Sequence, residues 1–149
     1  HKNPLYRALR CDKMTIAILE ATLRTYISDS SVRVENMSIT LFNRNQTELI
    51  KRGKKLIGKI SASIQKTHEL GIIPTEVEAG SGSLPLEKFP SAAIVFEGSI
   101  KAAQLSQKFR TAEIPVLGYI TGNKFHIDLK AIPPSEEKQL LDSIKIVLK

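Results

Sequence analysis

The sequence has 149 residues, 42% of them hydrophobic, with 22 Lys and Arg against 15 Asp and Glu for a formal net charge of +7. That length supports one domain with its own core, or one domain plus a docking helix, and excludes a large two-domain catalytic body. A single cysteine excludes an internal disulfide, and the absence of any run of about 18 apolar residues excludes a transmembrane helix, so the reducing cytoplasm is the simplest compartment.

The first stretch, Pro4-Leu5-Tyr6-Arg7-Ala8-Leu9-Arg10-Cys11-Asp12-Lys13, crowds cations at the start of an apolar helix pattern. Asp12 is placed to cap a helix that begins near Met14 and runs to about Ile27. Arg7 and Arg10 are three apart, so on a helix their guanidinium groups share one face and can grip one anion in a bidentate way. Two surface cations on a fraying helix start fit the same residues. Cys11 is read as a small buried hydrophobe rather than a reactive thiol. From Met14 to Ile27 the apolar residues cover more than one stripe, so this helix needs cover on more than one side, part of it expected from a larger domain.

The Val, Ile, Thr and Phe content of Val32 to Phe42 predicts a short strand. Asn45 or Thr47 then caps a predicted helix running to about His68, with Leu49, Gly53, Leu56, Ile60 and Ile64 inward. Gly53 and Gly58 are expected to permit close approach to a sheet, since each otherwise costs a helix about 1 kcal/mol. Lys51, Lys55 and Lys59 follow at four-residue steps. From Arg44 to Lys66 there are seven cations against the single acid Glu48. Such a face suits the phosphates of an RNA, and an ordinary solvated helix face accounts for it equally.

Gly71 is expected to close that helix, and Thr75 to Ala79 alternates as an edge strand. The loop Gly80-Ser81-Gly82-Ser83-Leu84-Pro85 would let backbone amides approach a ligand, or serve as a flexible connection. Ser91 to Phe96 is apolar enough for a central strand buried on both faces. Ser99 is predicted to cap a helix over 100–109, with Ala103, Leu105 and Phe109 inward. Ile114 to Ile120 and Lys124 to Leu129 flank Thr121-Gly122-Asn123 as a hairpin. Phe125, Ile127 and Leu129 share its inner face, whereas Lys124, His126 and Asp128 read as solvated. The histidines and Cys11 show no ligand spacing, so no metal is expected. After Pro133-Pro134, Ser135 caps a last helix whose buried stripe is Leu140, Leu141, Ile144, Val147 and Leu148. The order predicts an α+β fold in two layers, a mostly antiparallel sheet with helices on one face.

The run from Asn3 to Arg24, with its Arg-Ala-Leu-Arg-Cys-Asp-Lys centre, resembles the bacterial selenocysteine synthase family, the L-seryl-tRNA(Sec) selenium transferases. A weaker likeness continues through Gly80 to Pro85 and Pro115-Val116-Leu117-Gly118-Tyr119-Ile120. The resemblance implies the small C-terminal domain of a fold-type-I pyridoxal-phosphate enzyme, with residues 1–30 as interdomain segment and linking helix and 31–149 as that domain. It implies a cytoplasmic homo-oligomer that converts seryl-tRNA(Sec) to selenocysteyl-tRNA(Sec) with selenophosphate. On this reading Arg7 and Arg10 hold the selenophosphate or leaving phosphate, Asp12 and Lys13 orient them, Gly80 to Ser83 lie near the active-site mouth, and Lys51, Lys55 and Lys59 meet tRNA. The run Lys54 to Lys59 is similar to the family's cofactor-lysine segment but belongs to an amphipathic helix. The pyridoxal-phosphate lysine is therefore expected outside this chain, the piece alone is expected to be inactive, and His1 opening directly on the arginine motif fits a C-terminal piece. A stand-alone basic RNA-binding module, or the same domain from another pyridoxal-phosphate lyase or transferase, are the alternatives.

Overall fold

The computed structural model describes Leu5 and residues 9–27, 36–78 and 87–149. The chain divides into two compact units, His1–Asn43 and Arg44–Lys149.

In the first unit, helix α1 spans Lys13–Thr25. Asp12 caps it as expected, accepting hydrogen bonds from the Thr15 amide (2.8 Å) and the Thr15 hydroxyl (2.9 Å). No residue of α1 is buried; Met14, Ile16, Ile18, Leu19 and Leu23 are all more than half exposed, which agrees with a helix that needs outside cover. Where a strand was predicted over 32–42, Met37–Phe42 forms helix α2. The Asn36 carboxamide accepts from the Ile39 amide at 3.2 Å, and this cap outweighs the β-branched composition of a short segment. Residues 32–35 lie outside the described part.

In the second unit, α3 covers Gln46–Ile57 and α4 covers Ala62–Thr67. The single helix predicted to His68 is thus interrupted at Gly58 to Ser61. Gln65 explains how the break is tolerated, because its side-chain amide donates to the carbonyls of Ile57 (3.0 Å) and Ile60 (2.7 Å), groups that a continuous helix would have satisfied. Glu69, not Gly71, turns the chain with a φ of 44°. Gly71 lies within strand β1, Leu70–Glu78. The remaining elements are β2 (Lys88–Phe96), α5 (Ala102–Arg110), β3 (Tyr119–Thr121), β4 (Lys124–Asp128), a 3-10 turn at Pro134–Glu136 and α6 (Glu137–Val147). Neither Ser99 nor Ser135 caps its helix by a side-chain bond. Ala102 rather than Ala103 faces inward on α5.

The four strands form an antiparallel sheet in the order β1-β2-β4-β3. The β3–β4 connection is the expected hairpin, and both Gly122 (φ 55°) and Asn123 (φ 61°) take the left-handed conformation that a tight two-residue turn requires. On one sheet face Ala92, Ile94, Phe96, Phe125, Ile127 and Leu129 join Leu49 and Leu56 of α3, Leu105 and Phe109 of α5, and Leu140 and Ile144 of α6 in one buried cluster. The rings of Phe96, Phe109 and Phe125 meet with centroids 5.3–5.6 Å apart. This is the two-layer α+β arrangement that the sequence predicts.

Strand parity follows from one ladder bond. The Leu129 amide donates to the Ala92 carbonyl at 2.9 Å, so Ala92, Ile94 and Phe96 aim their main-chain groups at β4, and Ser91, Ala93 and Val95 aim theirs at β1. On β1 the partners Gly71, Ile73 and Thr75 therefore point inward and Pro74 points to the open edge, where its missing N–H costs no ladder bond.

Of the two helix glycines only Gly53 serves close approach. A Cβ there would lie 2.5 Å from Ile72 Cδ1 and 2.9 Å from Leu129 Cδ1, whereas one at exposed Gly58 would meet only main-chain carbonyls of its own helix, the nearer at 3.3 Å. Gly53→Ala is accordingly expected to lower unfolding free energy by about 1–3 kcal/mol through overpacking. Gly58→Ala should change it by less than about 1 kcal/mol; urea melts of both variants check the contrast.

Candidate functional site

The residues singled out in the sequence fall into three places. At the N-terminus, Arg10 and Cys11 are exposed, non-helical residues just before the Asp12 cap, and Lys13 is the exposed first residue of α1. Cys11 is therefore not a buried hydrophobe. Arg7 lies outside the described residues, as do Gly80, Ser81, Gly82 and Ser83. The two bonds from Thr15 hold the Asp12 carboxyl below the usual aspartate range, the backbone amide contributing most.

The second place is the cationic surface. Lys51, Lys54 and Lys55 stand exposed on α3, Lys59 in the turn after it and Lys66 on α4. None joins any of the four ion pairs found among the described residues. Because α3 ends at Ile57, the four-residue stripe is helical only from Lys51 to Lys55. Arg44 and Arg52 belong to the scaffold. Arg44 donates to the carbonyls of Lys130 (2.6 Å) and Ile132 (2.7 Å), Lys130 returns its ammonium to the Arg44 carbonyl at 3.0 Å, and Arg52 pairs with Glu137 at 2.6 Å. Burial pushes Lys130 below the ordinary lysine range, and Arg44 adds to that shift while Asp128 opposes it.

The third place, on the sheet face turned away from α3, α5 and α6, was not singled out in the sequence. His126 and Asp128, read there as solvated, are correspondingly different: His126 is 3% exposed and Asp128 is half-buried. The reason is that β4 is an interior strand. Asp128 accepts from the Ser91 hydroxyl (2.7 Å), the Thr75 hydroxyl (3.0 Å) and the Lys130 amide (2.9 Å), tying the end of β4 to the middles of β2 and β1. His126 donates from Nδ1 to the Lys124 carbonyl at 3.0 Å, and Tyr119 stacks on it, rings 5.1 Å apart and 9° from parallel. Burial raises the Tyr119 phenol above its ordinary value, the Asp128 charge adds to this, and the Thr75 hydroxyl opposes it. Alternation placed His126 and Asp128 on one face, but their burial shows only in the folded chain.

Against known proteins, the family model described as L-seryl-tRNA selenium transferase matches residues 1–133. The chain belongs to this selenium transferase family. Among curated relatives named L-seryl-tRNA(Sec) selenium transferase, that of Escherichia fergusonii is 33% identical over 147 residues, covering 95% of this chain and 31% of the relative. That of Proteus mirabilis is 34% identical over 148 residues, covering 97% and 32%. The chain thus spans about a third of the length of the selenium transferases it matches. The matched region holds the arginine motif, the cationic surface and the whole sheet; α6 lies beyond it.

Among the described residues no helix is long and apolar enough to cross a membrane. The Asp12 cap is predicted to be pH-sensitive. Its carboxylate has a lowered folded-state pKa, so its contribution to α1 is complete above the ordinary aspartate range and is lost as pH falls through the lowered value. The protection factor of the Thr15 amide, its exchange rate relative to an unstructured amide at the same pH, should fall on acidification, and Asp12→Asn should abolish that fall while keeping a cap.

Proposed function

We propose that the 149 residues are the C-terminal part of a cytoplasmic, homo-oligomeric L-seryl-tRNA(Sec) selenium transferase, which replaces the seryl hydroxyl on tRNA by selenium from selenophosphate. The observation that carries this reading is the family match over residues 1–133, which includes the arginine motif. Two exposed features supply the chemistry that such substrates ask of this part. Arg10, with Arg7, offers permanently charged donors for the selenophosphate or released phosphate, and guanidinium needs no proton from solvent to stabilise an anion. Asp12 and Lys13 orient the segment, the former by fixing where α1 starts, and Gly80 to Ser83 are assigned to the active-site mouth. Lys51, Lys55 and Lys59 meet tRNA phosphates.

Pyridoxal phosphate is the cofactor proposed for the whole enzyme, and the described lysines do not fit it. An imine-forming lysine has to be desolvated enough to lose its proton. Lys130 is the buried one among those described, and its ammonium is already committed to the Arg44 carbonyl. The lysine and the cofactor are therefore assigned to the rest of the protein, and the 149 residues alone are expected to be inactive.

Two outcomes test the assignment in the full-length enzyme. Arg10→Ala, alone and with Arg7→Ala, is expected to raise KM for selenophosphate about tenfold or more, the loss of a charge-assisted hydrogen bond; unchanged transfer at limiting selenophosphate removes the anion role. Changing Lys51, Lys55 and Lys59 together to Glu should reduce the slope of log K for tRNA against log salt by about 0.9 for each phosphate that is no longer neutralised. An isolated 149-residue chain that binds tRNA with the full slope would instead favour a self-sufficient RNA-binding module.

A further inference from the structure

The sheet face turned away from α3, α5 and α6 carries a rigid aromatic platform, and we infer that Tyr119 stacks with a base of the single-stranded 3′ end of the tRNA; this rests on the transferase reading above. Stacking on RNA needs a ring with one open face and an immobile backing, because every base presents a π-face and the gain is lost if the ring must be ordered first. Tyr119 meets both conditions. It is 37% exposed on the edge strand β3, whereas Phe96, Phe109 and Phe125 are closed in the core. Its ring lies nearly parallel to His126, and among the described residues no other ring stacks on it.

The backing is fixed from three directions. His126 is buried and held by its bond to the Lys124 carbonyl. On the same face the Asp128 carboxylate, supplied with three donors, ties β4 to β2 and β1 and so fixes the strand that carries His126. Gly118 closes β3 down on β4: a Cβ there would collide with the His126 carbonyl and sit 2.6 Å from the Phe125 ring, so only glycine lets Tyr119 reach this position.

The site also differs in kind from the lysines of α3. Lysines meet duplex phosphates as point charges and are screened by salt, while an aromatic face offers nothing to paired bases and suits an unpaired end. A seryl-tRNA presents both, a duplex stem and a single-stranded terminus that carries the serine. Tyr119 would thus position the reacting end, not react with it.

The experiment uses the full-length enzyme and tRNA(Sec) carrying 2-aminopurine, one position at a time, in its single-stranded 3′ end. Wild type and Tyr119→Phe are expected to quench the fluorescence of one such position on binding. Tyr119→Leu, which keeps apolar cover over His126 but has no π-face, should lose that quenching and bind about tenfold more weakly, with the salt slope unchanged. Quenching and affinity retained by Tyr119→Leu, in an enzyme that still forms selenocysteyl-tRNA, overturn the stacking role and leave the transferase reading intact. A wild-type enzyme that neither binds this tRNA nor transfers selenium overturns both.

Discussion

The second unit depends on sealing β2 on both faces. Ser91 to Phe96 are all essentially inaccessible to solvent, and the two faces are closed by opposite chemistry. On one side Ile94 and Phe96 enter an aliphatic and aromatic cluster with three helices, where burial supplies the stabilisation. On the other, small Ala93 and Ser91 let Asp128 reach across to Thr75, and hydrogen bonds rather than area close the surface. A carboxylate half removed from water is tolerable there because three donors converge on it.

Much of this architecture was legible because the core face repeats at simple periods. Leu49, Gly53 and Leu56, then Leu105 and Phe109, then Leu140 and Ile144 are spaced as helices require, and Gly122-Asn123 signals its own turn. Two misreadings of secondary structure, the strand over 32–42 and the unbroken helix to His68, trace to side-chain hydrogen bonds in short segments. Asn36 caps a helix that includes the β-branched Ile39 and Thr40, and Gln65 lets the chain break after Ile57 by supplying donors that no periodicity advertises.

The candidate sites were legible to different degrees for physical reasons. Charge is visible in sequence wherever it lies, so Arg10 and the lysines of α3 could be named directly. Whether a charge is free is not visible: Arg44 and Arg52 look like members of the same basic run, yet both are engaged by carbonyls and Glu137 from segments more than eighty residues later. Conversely, Tyr119 and His126 are only seven residues apart and inconspicuous in order; what makes them a unit is the tight closure of the hairpin over Gly118.

The orientation of Pro74 has a consequence for assembly. Among the described residues no strand pairs with the outer edge of the nine-residue β1, a length that would otherwise template intermolecular sheet growth. An outward imide nitrogen in the middle of that border interrupts any continuous ladder with an incoming strand. Copies of this protein that associate are thereby steered away from fibre-like edge pairing and toward interfaces made by side chains.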